Sequence, residues 1–358
     1  MGNSLYFYGV KLQEKYMNRC IQLAKNGLGT TYPNPLVGSA IVYHERIIGE
    51  GWHQKAGKPH AEVLAIESVV DTSLLPEATL YVNLEPCSHF GKTPPCADLI
   101  IEKGIKKVVV GTSDPNPKVA GRGIQRLRDA GCEVTVGVLE SQCEALNKRF
   151  FTFQQQQRPY ILLKWAQTKD GLIAPSDTLR TSQAPVWITQ QTARQHVHKI
   201  RAQEEAILVG THTVHKDNPS LTTRHWQGDN PKRFIIDRNA SIPKDAAVFN
   251  DDTQVVVFTE QEISNTKDVT YISLDFSEAL PTQMMSAMFE RGIQSVLVEG
   301  GAHTLQHFIN DGIWDEALVY EGSVSFSEGV AAPAFNGKKI TTKTLGNDIL
   351  HHYKNPNS

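Results

Sequence analysis

The sequence has no excess of charge of either sign, which argues against a nucleic-acid partner. Its 358 residues carry 36 Lys and Arg against 38 Asp and Glu, a formal net charge of −2. Nucleic-acid binders normally show a basic excess, because they must neutralise a chain of phosphates. A small phosphorylated molecule needs only a few local cations, so a substrate of that class remains compatible with this composition.

Long apolar runs and an apolar, basic N-terminal leader are also missing. No stretch approaches the roughly 20 apolar residues of a membrane span, so we expect no membrane partner. Cysteine is scarce, with five in the chain, at positions 20, 87, 96, 132 and 143. Thiols in a chain without a leader point to the reducing cytoplasm, which disfavours a disulfide between Cys87 and Cys96.

The length and patterning predict two α/β domains. Periodic segments indicate helices near 12–26, 60–70 and 121–131, alternating with apolar strands such as 37–43 and 78–84. Repeated strand–helix–strand units predict a largely parallel sheet covered by helices. A chain of 358 residues normally forms more than one domain.

A polar break divides the chain. The segment FFTFQQQQRP at 150–159 places four glutamines before Arg-Pro, and we expect domains over 1–153 and 158–358. Apolar strands resume after it, for example at 206–210 and 295–300. The polar tail after about 337 receives no structural assignment.

One histidine and two cysteines in the first half suit a metal. The motif KPHAE ends at Glu62, and LEPCSHFGKTPPC ends at Cys96. His60, Cys87 and Cys96 offer one imidazole and two thiols, a set that zinc prefers and that leaves a fourth tetrahedral position. Two alternatives stay open: His89 could close a structural zinc site, or His60 could be only a helix-start residue.

Glu62 is the candidate acid–base group. It follows His60 by two residues, and in mid-helix their side chains would diverge by about 200°. The side chains of His60 and Glu62 can converge only on a group that lies beyond the helix end. A metal there would have Glu62 beside it without Glu62 being a ligand. A carboxylate there can move a proton between water and a leaving amine.

Together these residues resemble the zinc-dependent cytidine and nucleobase deaminase superfamily. The eight residues between the cysteines are similar to one branch, the bifunctional deaminase/reductase of riboflavin biosynthesis, as are segments 30–42, 51–63, 114–131 and 146–151. The resemblance implies a cytidine-deaminase-like α/β/α domain with zinc on His60, Cys87 and Cys96 and Glu62 as catalytic residue. It also implies substrate contacts from Asn34, His53, His89 and Lys92.

Asn34 also fits a structural role, and Lys92 departs from the family pattern. Asn34 lies between two prolines, where it could equally be a turn residue. The family usually has Arg where Lys92 stands, and Lys keeps the charge but loses bidentate phosphate binding.

The second half contains SVLVEGGA at 295–302, a strand that runs through Gly300 and Gly301 into a predicted helix. Such a junction can present backbone N–H groups to a phosphate. This junction alone is weak evidence for a phosphate site, because Gly-Gly is also a common turn and the G-x-G-x-x-G fingerprint is missing.

Segments 164–174, 186–195, 200–214 and 217–224 resemble the reductase half of the same family. The resemblance implies a dihydrofolate-reductase-like α/β domain that uses NADPH. It places at the cofactor Ala166, Trp187, Thr213, Asp217, Gly301, Ala302, His303, Thr304 and Leu305. It places at the substrate Lys164, Arg201, Leu221, Arg224 and Glu299.

Alternatives and one departure accompany this assignment. Trp187 could be a core aromatic, while Arg201 and Arg224 suit a ribose phosphate but could form surface salt bridges. Pro185 stands where the family commonly has Ser, and Ser182 is the candidate to replace it.

The resemblance implies two successive reactions on one small molecule. Hydrolytic deamination of 2,5-diamino-6-(5-phosphoribosylamino)pyrimidin-4-one would precede NADPH-dependent reduction of its ribosyl group, in a homo-oligomer. Two other functions remain: a zinc deaminase acting on a tRNA base, whose second half only binds, and a non-enzymatic protein with a closed zinc site.

Overall fold

The computed structural model describes residues 2–90, 94–117, 119–180 and 182–357, without the side chains of 2–10 and Leu179. The chain divides into two compact units, Met1–Gln156 and Gln157–Ser358. Both units are α/β, as predicted. Among the described residues, no helix combines the length and apolar character needed to span a bilayer.

The first unit contains six α-helices and five strands among the described residues. The helices are α1 (Gly2–Ala24), α2 (Ala61–Glu67), α3 (Cys96–Glu102), α4 (Arg122–Asp129), α5 (Glu140–Leu146) and α6 (Lys148–Gln156). The strands are β1 (Gly38–Tyr43), β2 (Arg46–Trp52), β3 (Thr79–Leu84), β4 (Lys107–Thr112) and β5 (Glu133–Val136).

The first sheet has the order β2-β1-β3-β4-β5, with helices on both faces. Strands β3, β4 and β5 are parallel, whereas β1 is antiparallel to both of its neighbours. The three-layer α/β/α arrangement is therefore confirmed, but the expectation of a largely parallel sheet holds for only half of this one.

The antiparallel half arises from a strand that the sequence patterning did not reveal. The hairpin turn at His44 and Glu45 has φ values of +43° and +61°, which match the twist of a tight two-residue hairpin. Strand β2 escapes recognition because Gly49 and Gly51 interrupt its apolar pattern. A Cβ at either glycine would lie 2.4–2.5 Å from the backbone of Ala65, so these glycines let α2 pack closely on the sheet.

The second unit contains four α-helices and eleven strands among the described residues. The helices are α7 (Gln191–Gln203), α8 (Thr211–Asp217), α9 (Leu280–Glu290) and α10 (Ala302–Asn310). The strands are β6 (Tyr160–Gln167), β7 (Leu172–Pro175), β8 (Ala206–Gly210), β9 (Lys232–Ile236), β10 (Val255–Thr259), β11 (Val269–Ser273), β12 (Ser295–Val298), β13 (Glu316–Glu321), β14 (Gly329–Ala331), β15 (Lys338–Leu345) and β16 (Asp348–Lys354).

The second sheet has the order β11-β10-β9-β8-β12-β6-β13-β16-β15. Its strands from β11 to β13 are parallel, and β16 and β15 continue it antiparallel. The central strands are buried on both faces, which explains continuous apolar runs such as VVVFT in β10. Strands β7 and β14 form a separate antiparallel pair.

The polar tail after 337, which the sequence left unassigned, is a hairpin that completes this sheet. Strand β16 pairs with β13, and Leu345 and Leu350 are each only 6% exposed in the core. The Asp348 carboxylate is buried and accepts a hydrogen bond from the backbone N–H of Gln190 at 2.7 Å. The tail escaped recognition because all but the last residue of β15 is exposed, so most of that strand is polar and lacks an apolar alternation.

We predict that Leu350→Ala destabilises the protein by about 2–5 kcal/mol, because losing this side chain leaves a cavity in the hydrophobic core of the second unit. The matched control is Ile340→Ala in the same hairpin, where the side chain is 48% exposed and the cost should stay below about 0.5 kcal/mol. Urea unfolding followed by circular dichroism measures both. Equal, small effects would show that the hairpin does not belong to the core.

Candidate active sites

Three metal-binding side chains meet in the first unit. His60 immediately precedes α2, Cys87 lies in the loop after β3, and Cys96 is the first residue of α3. The His60 Nδ1 atom lies 3.3 Å from the sulfur of Cys96 and 3.6 Å from that of Cys87. All three donor atoms lie within 4.8 Å of one another, close enough to share one ion.

The chemistry of this donor set fits zinc. The backbone N–H of Cys96 donates to the Cys87 sulfur at 3.2 Å. Hydrogen bonds from Cys96 and His60 lower the pKa of the Cys87 thiol to about 4, against the opposing effect of burial. The hydrogen bond with Cys87, together with burial, raises the pKa of Cys96. The Cys87 thiolate and the Cys96 thiol share one proton beside the His60 imidazole. A zinc ion can replace that proton, because both sulfurs bind the metal in the deprotonated form.

The closed-site alternative is not supported by the positions of the loop residues. His89 is exposed and does not join the three donors, so within the described part of the chain the group has three ligands. Lys92 lies outside the described residues. All five cysteines are free, so Cys87 and Cys96 form no disulfide.

Glu62 is buried next to the metal ligands. It lies in the first turn of α2 and is 3% exposed. Burial and the charge on Cys87 raise the pKa of Glu62 to about 7, while a hydrogen bond with Cys96 opposes that rise. Because His60 stands before the helix and Glu62 within it, both side chains reach Cys96.

Asn34 and His53 form a pair beside His60. Asn34 Nδ2 lies 3.0 Å from His53 Nε2, and His53 Nδ1 lies 3.1 Å from the carbonyl oxygen of Pro59. A carbonyl can only accept, so Nδ1 carries the proton and Nε2 accepts from Asn34. Burial lowers the pKa of His53, which favours this neutral form. The rings of His53 and His60 are 5.4 Å apart, so the pair adjoins the metal donors.

Glu85 is a structural residue that the sequence analysis missed, although it lies within the quoted LEPC motif. It follows the last residue of β3 and is 4% exposed. Its two carboxylate oxygens accept four backbone N–H groups at 2.9–3.2 Å, from Asp114, Gly121, Gly123 and Ile124. This clamp fixes the chain leading to Cys87 against the start of α4.

Asp114, in the loop between β4 and α4, was also missed as a candidate. Burial raises its pKa to about 6, and the charges of Glu85, His89 and Cys87 act on it. Its only sequence signal was a polar DPNP turn after β4.

The second unit contains a cavity of about 980 Å³. It opens at the carboxyl ends of β6, β8, β9 and β12, where parallel sheets place their ligands. The lining includes these predicted residues: Lys164, Ala166, Trp187, Arg201, Thr213, Asp217, Leu221, Arg224, Glu299, Gly301, Ala302, His303 and Thr304. Leu305 is fully buried in the core, and Ser182 is not among the residues that line the cavity; both assignments stay predictions.

Glu299 sits at the centre of a buried charge network. Arg201 binds it through two hydrogen bonds of 2.9 and 2.7 Å, and Lys164 Nζ lies 3.6 Å away. Burial opposes ionisation of Glu299, but Arg201 and Lys164 outweigh it and lower the pKa to about 2. Burial lowers the pKa of Lys164. Arg201 therefore pairs inside the cavity and forms no surface salt bridge.

The two glycines before α10 have different tasks. A Cβ on Gly300 would lie 2.6 Å from that of Thr304, so Gly300 is needed for packing. A Cβ on Gly301 would meet only Thr213 Oγ1, at 3.5 Å, and the backbone N–H of Gly301 donates to that oxygen. The start of a nine-residue helix thus lines the cavity without a side chain in the way, which fits a dinucleotide phosphate.

Arginines that the sequence analysis did not single out hold two of the predicted cofactor residues. Arg180 donates to the Asp217 carboxylate at 2.8 Å and to the carbonyl of Lys216 at 2.9 Å. Arg194 lies over the ring of Trp187, 4.5 Å from its centre. Trp187 is 52% exposed, so the core-aromatic alternative is wrong.

We predict that Glu299→Gln costs about 3–5 kcal/mol at pH 7, because it leaves the buried charges of Arg201 and Lys164 unpaired. A lowered carboxyl pKa stabilises the fold above the ordinary value of 4.5, and this contribution disappears as pH falls towards about 2. The stability difference between wild type and variant should therefore narrow between pH 5 and pH 3.

Urea unfolding at stepped pH measures this difference. The matched control is Glu260→Gln, which breaks an equally bidentate but exposed pair with Arg238 and should change stability little. A difference that does not change with pH would contradict the charge network.

Both units match known families. Residues 10–112 match the cytidine and deoxycytidylate deaminase zinc-binding region, and residues 159–354 match the RibD C-terminal domain. The riboflavin biosynthesis protein RibD of Aquifex aeolicus is 39% identical, over 96% of this chain and 99% of its own. RibD of Synechocystis is 43% identical, over 80% of this chain and 78% of its own.

A solved structure agrees with these relatives. The diaminohydroxyphosphoribosylaminopyrimidine deaminase/5-amino-6-(5-phosphoribosylamino)uracil reductase of Thermotoga maritima has a TM-score of 0.87 and 39% identity, covering 97% of this chain and 99% of its own. The second unit matches the reductase part of this family. The alternative in which that half only binds a ligand or partner is therefore excluded. The chain belongs to the RibD family, the bifunctional deaminase and reductase of riboflavin biosynthesis.

Proposed function

We propose that this protein deaminates 2,5-diamino-6-(5-phosphoribosylamino)pyrimidin-4-one in residues 1–153 and reduces the deaminated product in residues 158–358. The observation that carries the proposal is the three-ligand group with buried Glu62 at its side. The final product would be 5-amino-6-(5-phosphoribitylamino)uracil. Ammonia release and NADPH oxidation, followed separately with and without NADPH, test the two steps.

In the deaminase unit, His60, Cys87 and Cys96 would hold the zinc. Bound there, zinc would supply a water acidic enough to attack at neutral pH. Glu62 accepts a proton from the attacking water and delivers it to the leaving amine. The ring carbon gains an oxygen, its bond to nitrogen breaks, and ammonia leaves.

Asn34 and His53 orient the pyrimidine in this scheme. Asn34 Nδ2 donates one of its two hydrogens to His53, and this fixes the orientation of the amide. The amide oxygen is then the atom that accepts a ring N–H or amino group. His89 and Lys92, from the loop between the cysteines, contact the phosphoribosyl part of the substrate.

In the reductase unit, NADPH would be held by Ala166, Trp187, Thr213, Asp217 and the stretch from Gly301 to Leu305. The ribosyl group binds among Lys164, Arg201, Leu221, Arg224 and Glu299. Bound there, NADPH would supply a hydride to the ribose carbon that bears the amine. The bond from that carbon to the ring oxygen breaks, and the oxygen takes a proton as the sugar opens to a ribityl chain. This step requires positioning and electrostatics more than a protein nucleophile, which suits a cavity built around fixed charges.

We also propose a cytoplasmic homo-oligomer. The free state of all five cysteines supports a reducing compartment. The homo-oligomer rests on the family resemblance alone.

We predict that Glu62→Gln lowers the rate of ammonia release by roughly 10²–10⁴-fold, because it removes the proton carrier. Zinc content, measured by atomic absorption, should not change, since Glu62 is no ligand in this scheme. The matched control is Glu67→Gln on the same helix, where the side chain is exposed and activity should be retained. Loss of zinc from the Glu62 variant would contradict the assignment.

We predict that Gly301→Val slows NADPH oxidation on the deaminated intermediate by roughly 100-fold, because a branched side chain displaces the cofactor. Gly301 has a φ of −63°, so a larger residue introduces no backbone strain there. The rate of deamination should be unchanged. Gly301→Ala should slow NADPH oxidation less than Gly301→Val does. Equal loss of both activities would argue against two separate sites.

A further inference from the structure

Two histidines stand one helical turn apart on α10, in the wall of the reductase cavity. His303 and His307 are spaced as i and i+4, which places both side chains on the same face of the helix. Both line the cavity, and both are exposed to solvent. Their Nε2 atoms lie 3.3 Å apart, and the ring centres are separated by 4.5 Å. Two imidazole nitrogens therefore lie side by side where an ion from solvent can reach them.

The distance between the two nitrogens suits two ligands of one zinc ion. Zinc–nitrogen bonds of about 2.0–2.1 Å at a tetrahedral angle place two ligand nitrogens about 3.3–3.4 Å apart. Direct hydrogen bonds from an N–H group are mostly shorter, at about 2.7–3.2 Å. Burial and the charges of His307 and His212 lower the pKa of His303, which favours the neutral imidazole that a metal requires.

The pair lacks the partners of a hydrolytic zinc site. In the motif His-Glu-x-x-His, the glutamate after the first histidine acts as general base. Here Thr304 follows His303, and it is only 8% exposed. Among the described residues, no further histidine, cysteine or carboxylate joins this pair in a group of three donors within 4.8 Å. An ion held here would have two imidazole ligands, with water in its remaining positions.

This pair lies beside the start of α10, where the cofactor phosphates are expected. The backbone N–H of Gly301 donates to Thr213 Oγ1 at 3.0 Å, so the first residues of α8 and α10 meet. His212, which precedes Thr213, lines the same cavity. His303 itself belongs to the stretch assigned above to the cofactor. A hydrated ion on its imidazole would occupy space that the cofactor needs.

We propose that His303 and His307 form a zinc-binding site in the reductase cavity, and that an ion held there excludes the nicotinamide cofactor. The site itself goes beyond the proposed function, whereas the exclusion of the cofactor rests on it. Imidazole ligands select zinc and related transition ions over Mg²⁺ and Ca²⁺, which prefer oxygen. Zinc would then inhibit the reductase of a chain whose other unit uses zinc.

The zinc content of His307→Gln tests the site without any turnover. His307 is the residue to change, because His303 is also assigned to the cofactor. After equilibrium dialysis against Zn²⁺, wild type should hold two zinc ions per chain and His307→Gln one, measured by atomic absorption. Losing one of two ligands should weaken the second ion by at least roughly 10–100-fold.

The matched control is His215→Gln, which changes an exposed histidine of α8 outside the cavity lining and should keep both ions. An excess of Mg²⁺ should displace neither ion. One zinc ion in wild type, or two in His307→Gln, would overturn the site. Circular dichroism confirms that each variant is folded.

Kinetics on the deaminated intermediate test the exclusion of the cofactor. Zinc at ten times the dissociation constant of the second ion should raise the apparent KM for NADPH about tenfold in wild type, with kcat unchanged. In His307→Gln, the same zinc concentration should leave KM unchanged.

The site, the exclusion and the proposed function can fail separately. Two zinc ions in wild type with a constant KM for NADPH would overturn the exclusion. Absence of NADPH oxidation in wild type without added zinc, together with a second zinc ion that depends on His307, would overturn the proposed function and leave the metal site.

Discussion

Both sites depend on a buried carboxylate placed one residue beyond the end of a parallel strand. Glu85 follows β3 and Glu299 follows β12. Strand ends in a parallel sheet collect backbone groups and loops at one edge, so a fixed charge there can organise several segments at once. Glu85 receives four neutral N–H groups, whereas Glu299 receives a guanidinium and lies beside an ammonium group.

The partners of the two carboxylates decide what each site can do. Four N–H donors satisfy Glu85 and leave it no capacity for a ligand, so its effect is to hold the chain that leads to Cys87. Glu299 faces an open cavity, and the cations around it fix its negative charge there. Glu85 is thus part of the framework, whereas Glu299 lines the cavity.

The sequence predicted those features in which neighbouring residues carry the chemistry. His60, Cys87 and Cys96 could be recognised because metal ligands combine a rare residue set with short spacing, and Gly301 because it joins a strand to a helix. Strand β2 was missed because two of its positions are glycines that allow close packing of α2, so its apolar pattern is interrupted. Strand β15 was missed because it is mostly exposed and therefore lacks the alternation of apolar and polar residues. Arg194 carried no local signal, since only the structure shows that it lies over the ring of Trp187.

Burial alone does not determine the protonation of a glutamate here. Glu62 and Glu299 are both almost fully buried, yet the pKa of the first is raised to about 7 and that of the second lowered to about 2. Desolvation acts in the same direction on both. The difference comes from the neighbours: a thiolate beside Glu62, and two cations beside Glu299. A pKa of about 7 places the titration of Glu62 in the range around neutral pH. Glu299 stays ionised throughout that range. The pKa of the same residue type is therefore shifted in opposite directions in the two units, because its neighbours differ.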